Sequence, residues 1–268
     1  MKIKCRVIGL CNNKGGVGKT SSAINLAASL VADGYKVLVI DADPQASLTV
    51  GMGVFEEDIN YNLFTLLNNI ICDEEILYDD VILNQEGFDL IPGSIELCAL
   101  EVQLINEMRR EFLLKTIVDE LRYKYDFIII DSAPSLSLLN VNVLVAVDSI
   151  IIPFSMNLYS VKGFEQLCQS IRLVKKKKLN QELVIKGILF TMVQDRLKIT
   201  RKIKTMFQSV YGDEVNIFHT TIPSSVKVSE AAMEGKSIVT LFPKNAVAIA
   251  YRNLAQELIV HENKIIGA

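Results

Sequence analysis

The chain has 268 residues, half of them apolar and 22% charged, with a formal net charge of −3. That apolar content can offset the entropy of ordering a chain, so disorder is excluded, and the net charge excludes a protein that is basic throughout. Five scattered cysteines fit free thiols in a reducing cytosol, two distant histidines offer no zinc site, and no apolar run reaches the roughly 18 residues of a membrane span.

The opening MKIKCRVIGL has no small-residue cleavage site and runs straight into the polar NNKGG, so it does not read as a signal peptide. Cys5–Cys11, without polar alternation, reads as a buried strand. A Gly-rich loop follows, then a helix from about Gly18 to Asp33 that Gly34 is placed to end. Lys36–Asp41 is the next strand; Phe88–Ile91, Phe127–Asp131, Ser149–Pro153 and Val184–Thr191 are further strands of the same kind. Helical stretches lie around Asn62–Ile71, Leu97–Tyr123, Ser137–Val145, Val161–Val174 and Thr200–Tyr211. A last helix, about Ala246–Val260, has apolar positions at Val247, Ala250, Leu254 and Leu258 for packing on the sheet. This alternation predicts an α/β fold: a single doubly wound, mostly parallel sheet with helices on both faces. No repeat, low-complexity segment or linker marks a second domain, so one domain over residues 1–268 is expected. Ligands of such folds bind at the carboxyl ends of the strands.

Charge is unevenly spread. From Glu56 to Glu120 there are 16 acidic residues against 3 basic ones, whereas from Arg172 to Lys204 there are 11 basic against 2 acidic. Either a solvated helix face plus an exposed Lys-rich helix end at Lys175–Lys178, or a phosphate-binding edge, accounts for the basic stretch.

Lys14-Gly15-Gly16-Val17-Gly18-Lys19-Thr20 joins the first strand to the first helix. Small residues let consecutive N–H groups curl toward phosphate oxygens, and the helix N-terminus adds a positive dipole. Lys19 can reach the β- and γ-phosphates, and Thr20 can offer its hydroxyl to Mg²⁺. Asn13 stands where the common phosphate-loop pattern has its first glycine, and an additional lysine, Lys14, precedes Gly15. The second strand ends in Asp41-Ala42-Asp43-Pro44-Gln45, where period-two alternation puts both aspartates on one side. Phe127–Ile130 is an apolar run ending in a single acid, Asp131, suited to holding a Mg²⁺-bound water.

NKGGVGKTSSAINLAASL resembles the deviant Walker A box of the ParA/MinD family of ATPases. The likeness extends over nearly the whole chain. Asp41–Gln45 is similar to the family's DxDPQ and Asp131–Ser135 to its DxxPS. Ile222–Ala231 resembles the IPRNxRLxEAP segment of Soj/ParA proteins, and Ala250–Leu258 their AYxxLAxEL helix. The resemblance implies an ATP site of Lys14, Gly15, Gly16, Val17, Gly18, Lys19, Thr20 and Ser21, with Thr191, Met192 and Pro223 toward the adenine. Ser224 and Ser225 replace the Arg and Asn usual there. It further implies that Lys14 reaches the ATP of a partner subunit and that Asp43 orients the attacking water. Thr20, Asp41 and Asp131 would surround magnesium, the aspartates through water.

By the same resemblance the protein is a cytoplasmic, nucleoid-associated partition ATPase, slow without its partner. An ATP-bound homodimer would bind DNA without sequence preference, and a ParB-type centromere-binding protein would stimulate hydrolysis. Lys227 falls where relatives carry a DNA-binding arginine. Lys198, Arg201, Lys202 and Lys204 form a basic edge, with 198, 201, 202 and 205 on one helix face. Counterion release would make such binding salt-dependent. The expected absence of the N-terminal helix-turn-helix extension of larger ParA proteins follows from the ten or so residues before the loop. A MinD-like membrane-cycling ATPase shares the same boxes and is the alternative. The short, mixed-charge tail does not read as a basic amphipathic helix, so no stable membrane binding is expected.

Overall fold

The structure, a computed structural model, describes residues 5–135, 137–156, 159–194, 198–212 and 215–266. β1 (Arg6–Leu10) leads through the Gly-rich loop into α1 (Lys19–Ala32) and β2 (Val37–Ala42). The short α2 (Ser47–Gly51), α3 (Leu63–Cys72) and α4 (Tyr78–Val81) precede β3 (Leu83–Gln85) and β4 (Phe88–Ile91). α5 (Leu97–Gln103), prolonged by a 3-10 turn at Leu104–Asn106, and α6 (Leu113–Leu121) lead to β5 (Phe127–Ser132) and α7 (Leu138–Ala146). Then come β6 (Ser149–Ser155), α8 (Tyr159–Lys176), β7 (Val184–Thr191), α9 (Lys198–Tyr211), α10 (Lys227–Met233), α11 (Ile238–Leu241) and α12 (Ala246–Ile266).

Among the described residues the strands form one seven-stranded sheet in the order β3-β4-β2-β5-β1-β6-β7. All pairings are parallel except β3 with β4. Alternate side chains go to opposite faces. Val7, Leu38, Ile40, Ile128, Ile130, Ile150 and Ile152 join one core, against α3 and α5 to α9. Ile8, Leu10, Val37, Val39, Phe127, Ile129 and Ile151 join the other, against α1 and α12. Burial on both faces is why these strands read as unbroken apolar runs. Pro153 is tolerated in β6 because β1 pairs only as far as Ile151, so no bond is lost on that side.

Local signals set most boundaries. Gly34 ends α1 at φ 88°. Asn62 caps α3 in a reciprocal pair with Thr65, and Ser137 caps α7. The expected continuous helix over Leu97–Tyr123 is instead two. Leu97, Leu100 and Leu104 form a buried stripe, but its continuation would place Glu107 and Met108 inward. The chain breaks there, with Glu107 extended and Arg109 at φ 56°. The segments α2, α4, β3, α10 and α11 are too short to show a period. α9 is seated by aromatic edges: the Phe207 ring lies 4.4 Å from Phe154 and 5.6 Å from Phe164.

Candidate nucleotide site

The loop between β1 and α1 is fixed from both sides. Asn12 donates from Nδ2 to the Pro153 carbonyl (2.8 Å) and accepts the Lys14 amide at Oδ1 (3.0 Å). Val17 is buried, and its carbonyl accepts the Thr191 hydroxyl at 2.7 Å. Gly16 and Gly18 have φ of 68° and 85°, conformations that an L side chain rarely adopts. Gly163 of α8 lies so close that a Cβ there would stand 3.1 Å from Asn12 Oδ1 and 3.2 Å from Lys14 Cβ. No side chain caps the first turn of α1. Its free N–H groups and positive dipole end therefore suit an anion.

Lys19 is buried, with Nζ 3.4 Å from the Lys14 carbonyl. Burial lowers its pKa, opposed by the carboxylates of Asp131 and Asp43. Partial desolvation also lowers that of Lys14.

β2 and β5 run side by side with Asp41 level with Asp131. Both acids are fully buried. The Thr20 hydroxyl donates to Asp131 Oδ2 at 2.6 Å, whereas Asp131 Oδ1 is buried with no hydrogen-bond partner. Burial and the Asp41 charge push the Asp131 pKa up to about 8, against the Thr20 hydrogen bond and Lys19. Asp41 is raised as well, mainly by burial, but it is well bonded. Its Oδ2 accepts the Thr49 amide (2.9 Å) and hydroxyl (2.7 Å), and its Oδ1 accepts the Asp43 amide (3.2 Å). Asp43 itself is 8% exposed and accepts the Gln45 amide at 2.9 Å. Of the three, Asp131 alone has both a hydroxyl partner and an orphan oxygen, while Asp41 acts as an anchor beneath Asp43.

Thr49 and Gly93 join the site without any signal in the sequence. The Gly93 amide donates to Thr49 Oγ1 at 2.9 Å, and a Cβ on Gly93 would stand 2.8 Å from the Asp41 carbonyl. Neither residue belongs to a periodic pattern; only the fold brings the ends of β2 and β4 together.

The orphan acceptor of Asp131 beside the Thr20 hydroxyl fits a magnesium ion. Among the described residues no group of three or more His, Cys, Asp or Glu could hold a metal. Mg²⁺ needs no such cage when substrate phosphates and water supply most of its oxygens.

On the β7 side, Met192 has φ 53° and is half exposed. Val193 bridges to Pro223, with the Val193 amide on the Ile222 carbonyl at 2.9 Å. The structure thus brings Met192 and Pro223 together next to Thr191 and the loop. Of the five basic candidates, Lys202 is exposed on α9, whose buried side carries Ile203 and Phe207. Lys198, Arg201 and Lys204 belong to α9, but their side chains lie outside the described ones. Lys227 is engaged: it pairs with Glu230 and stands 4.9 Å above the Phe242 ring. Lys175–Lys178 form the exposed end of α8 that their sequence predicts.

Residues 5–185 match the family model described as an AAA domain. The chain is 36% identical over 253 residues to the sporulation initiation inhibitor protein Soj of Bacillus subtilis, covering 94% of this chain and 98% of that one. A putative plasmid partition protein from Borrelia burgdorferi, solved with AMPPNP bound, matches with TM-score 0.78 and 29% identity over 96% of this chain and 100% of that one. Cobyrinic acid a,c-diamide synthase from Mycobacterium smegmatis, with a bound ATP analog and magnesium, matches with TM-score 0.83 and 28% identity over 96% and 95%. With a phosphate loop before α1, an acid at the end of β5 and this likeness along nearly its whole length, the chain belongs to the ParA/Soj family of P-loop partition ATPases.

Proposed function

We propose that the protein is an ATP-driven DNA-partition switch: two copies close around Mg–ATP, bind DNA without sequence preference, and separate on hydrolysis. The observation that carries this reading is the pairing of Thr20 with Asp131, whose second oxygen is an orphan acceptor beside buried Lys19. Residues 15–21 would cradle the phosphates through backbone N–H groups, with Lys19 on the β- and γ-phosphates. Thr20 and, through water, Asp131 would hold magnesium, whose chemistry is to neutralise phosphate charge. Asp41 contributes by holding Asp43 in place. Asp43 orients the attacking water.

Lys14 supplies a second ammonium to the nucleotide of the facing copy. Charge developing on the transferred phosphoryl group is stabilised there as by an arginine finger, so turnover requires the dimer. Met192 and Pro223 flank the base. The basic outer side of α9 contacts DNA phosphates, and a centromere-bound ParB-type protein accelerates hydrolysis and so releases the dimer from the nucleoid.

The test is binding to a non-specific duplex with ATP, ADP or no nucleotide, at two salt concentrations. Binding with ATP only, weakened by salt, is the expected result. No binding in any state overturns the DNA reading, and liposome binding in its place establishes a membrane-cycling ATPase.

A further inference from the structure

α7 and α8 are neighbours on one face of the sheet, yet they do not fill the space between them. A cavity of about 690 Å³ remains there. Leu138, Val141 and Leu144 of α7 and Leu167, Leu173 and Val174 of α8 line it. Positions 138, 141 and 144 on one helix, and 167, 170 and 174 on the other, follow helical three–four spacing, so each helix turns one stripe toward the cavity. A concave, mostly apolar space of this size is the usual form of a small-molecule site. It is distinct from the nucleotide site: none of residues 15–21, Met192 or Pro223 is among the described residues of its wall.

The polar end of the cavity lies where β1 and β5 deliver their loops, at Cys11, Asn12, Asn13, Ser132, Ser135 and, from α7, Asn140. Most of these groups are already bonded within the chain. Asn12 bonds the Pro153 carbonyl and the Lys14 amide, and the Ser132 hydroxyl donates to the Leu10 carbonyl at 2.9 Å. Burial pushes the Cys11 thiol up to about 12, so it presents an uncharged sulfur. Two amides are not satisfied. Asn13 Nδ2, a donor, and Asn140 Oδ1, an acceptor, are buried with no hydrogen-bond partner. Turning the Asn140 amide over brings no relief. Its Nδ2 already donates to the carbonyls of Ala133 (2.7 Å) and Ser135, and an oxygen placed there would face two oxygens. An unmet donor and an unmet acceptor each destabilise a fold, and one group that accepts from Asn13 and donates to Asn140 relieves both. That group is neutral: Arg110 and Glu111 of the wall pair with each other, and Lys177 stands at the far end of α8.

We propose that this cavity binds a small neutral amphiphile, with its apolar body between α7 and α8 and a carboxamide or lactam head that accepts from Asn13 and donates to Asn140. The site borders both loops of the nucleotide machinery. Asn13 directly precedes Lys14, and Asn140 holds the carbonyls of Ala133 and Ser135, which follow Asp131. Occupancy therefore shifts the affinity for nucleotide, and by linkage nucleotide shifts the affinity for the amphiphile by the same factor. This coupling rests on the ATPase reading above; the site itself does not.

The probe is octanamide, compared with methyl octanoate, which keeps the acceptor and loses the donor. The ester is the more apolar molecule, so partition onto any greasy surface favours it. Titration followed by calorimetry should instead show one octanamide per chain, bound about tenfold tighter than the ester, the scale of a hydrogen bond to a buried group. Ser170→Phe, which fills the cavity from the half-buried side of α8, should abolish binding of both, and Ser170→Ala should retain it. Mg–ADP should change the affinity for octanamide at least fivefold, and octanamide the affinity for ADP equally. Absence of saturable binding, binding of the ester as tight as the amide, or undiminished binding by Ser170→Phe overturns the proposal. A Ser170→Phe protein that no longer dimerises with a non-hydrolysed ATP analog, where Ser170→Ala still does, also overturns it, by assigning the cleft to a second copy. Octanamide binding that Mg–ADP leaves unchanged removes the coupling. If the wild type binds no ADP at all, the ATPase reading fails, and the octanamide titration still decides the site.

Discussion

The Thr20 hydroxyl donates to Asp131 Oδ2 at 2.6 Å, tying the first turn of the phosphate-loop helix to the end of the neighbouring strand and leaving Asp131 Oδ1 unpaired. One buried carboxylate thus has one oxygen committed to the loop and one reserved. Reserving a buried acceptor is costly, at about 1–3 kcal/mol. The cost is relieved when either a proton or a cation occupies it.

A pH prediction follows from this relationship. Asp131 has its pKa raised from 3.8 to about 8 by burial and by Asp41, so between those values the native state holds a proton that the unfolded chain has lost. Stability without nucleotide should therefore be greatest at the acid end of this window and fall as pH rises toward 8, by at most about 1.4 kcal/mol per pH unit. Mg–ATP should displace the proton and flatten the dependence. Thermal melts from pH 5.5 to 8.5 check the first part, and calorimetry in buffers of different ionisation enthalpy checks the proton release. An Asp131→Asn protein with the same slope as wild type would disprove the assignment.

Asp43→Ala should keep ATP binding and dimer formation while lowering turnover about 10²-fold or more, the scale of losing a group that orients the nucleophile. The amide of residue 43 would still meet Asp41, so the fold of the β2 end survives. The dimer should then persist on DNA with ATP. Hydrolysis by this variant at the wild-type rate would move the catalytic role to another residue.

Lys14→Ala should retain nucleotide binding by one subunit but lose ATP-dependent dimerisation and turnover, by about 10³-fold on the scale of arginine fingers. Asn12 holds the residue-14 amide whatever the side chain, so the loop keeps its shape. Sedimentation with a non-hydrolysed ATP analog separates the two effects: a dimer as stable as the wild type's would remove Lys14 from the interface.

Much of the strand–loop–helix frame was legible because its signals are local. Phe88–Ile91 and Val184–Thr191 form strands with the boundaries read from the sequence, and Gly34 ends α1 where a left-handed residue was needed. The phosphate loop was equally legible, since glycine and lysine spacing dictates its backbone. What stayed hidden depends on chain crossings. Thr49 and Gly93 meet Asp41 from α2 and from the end of β4, and no period in the sequence relates them. The break at Glu107 was hidden for a different reason: the segment is rich in helix formers, and only the loss of an inward-facing position stops the helix.

Thr49→Val should remove the hydroxyl that bridges Gly93 and Asp41 while preserving shape. One buried carboxylate oxygen loses a donor and one amide loses an acceptor, for a destabilisation of about 1–3 kcal/mol. If Thr49 acts by positioning Asp43, kcat should fall about tenfold with little change in KM, and Thr49→Ser should restore it. A loss of stability with kcat unchanged would leave Thr49 a purely structural residue.

The DNA-facing candidates differ in how much of their charge is available. Lys202 is exposed on the outer side of α9, whereas Lys227 is paired with Glu230 and covered on one side by Phe242. A lysine that neutralises one phosphate contributes about 0.9 to the slope of log affinity against log salt. Lys202→Ala should therefore reduce that slope by about one per subunit and weaken all duplexes alike. Lys227→Ala should change it less, because its ion pair must first be given up, and Glu230→Gln should strengthen binding by freeing the lysine. Salt titrations of the three variants with ATP present measure each slope. The reverse order, with Lys227 dominant and Lys202 silent, would shift the DNA contact from α9 to the start of α10.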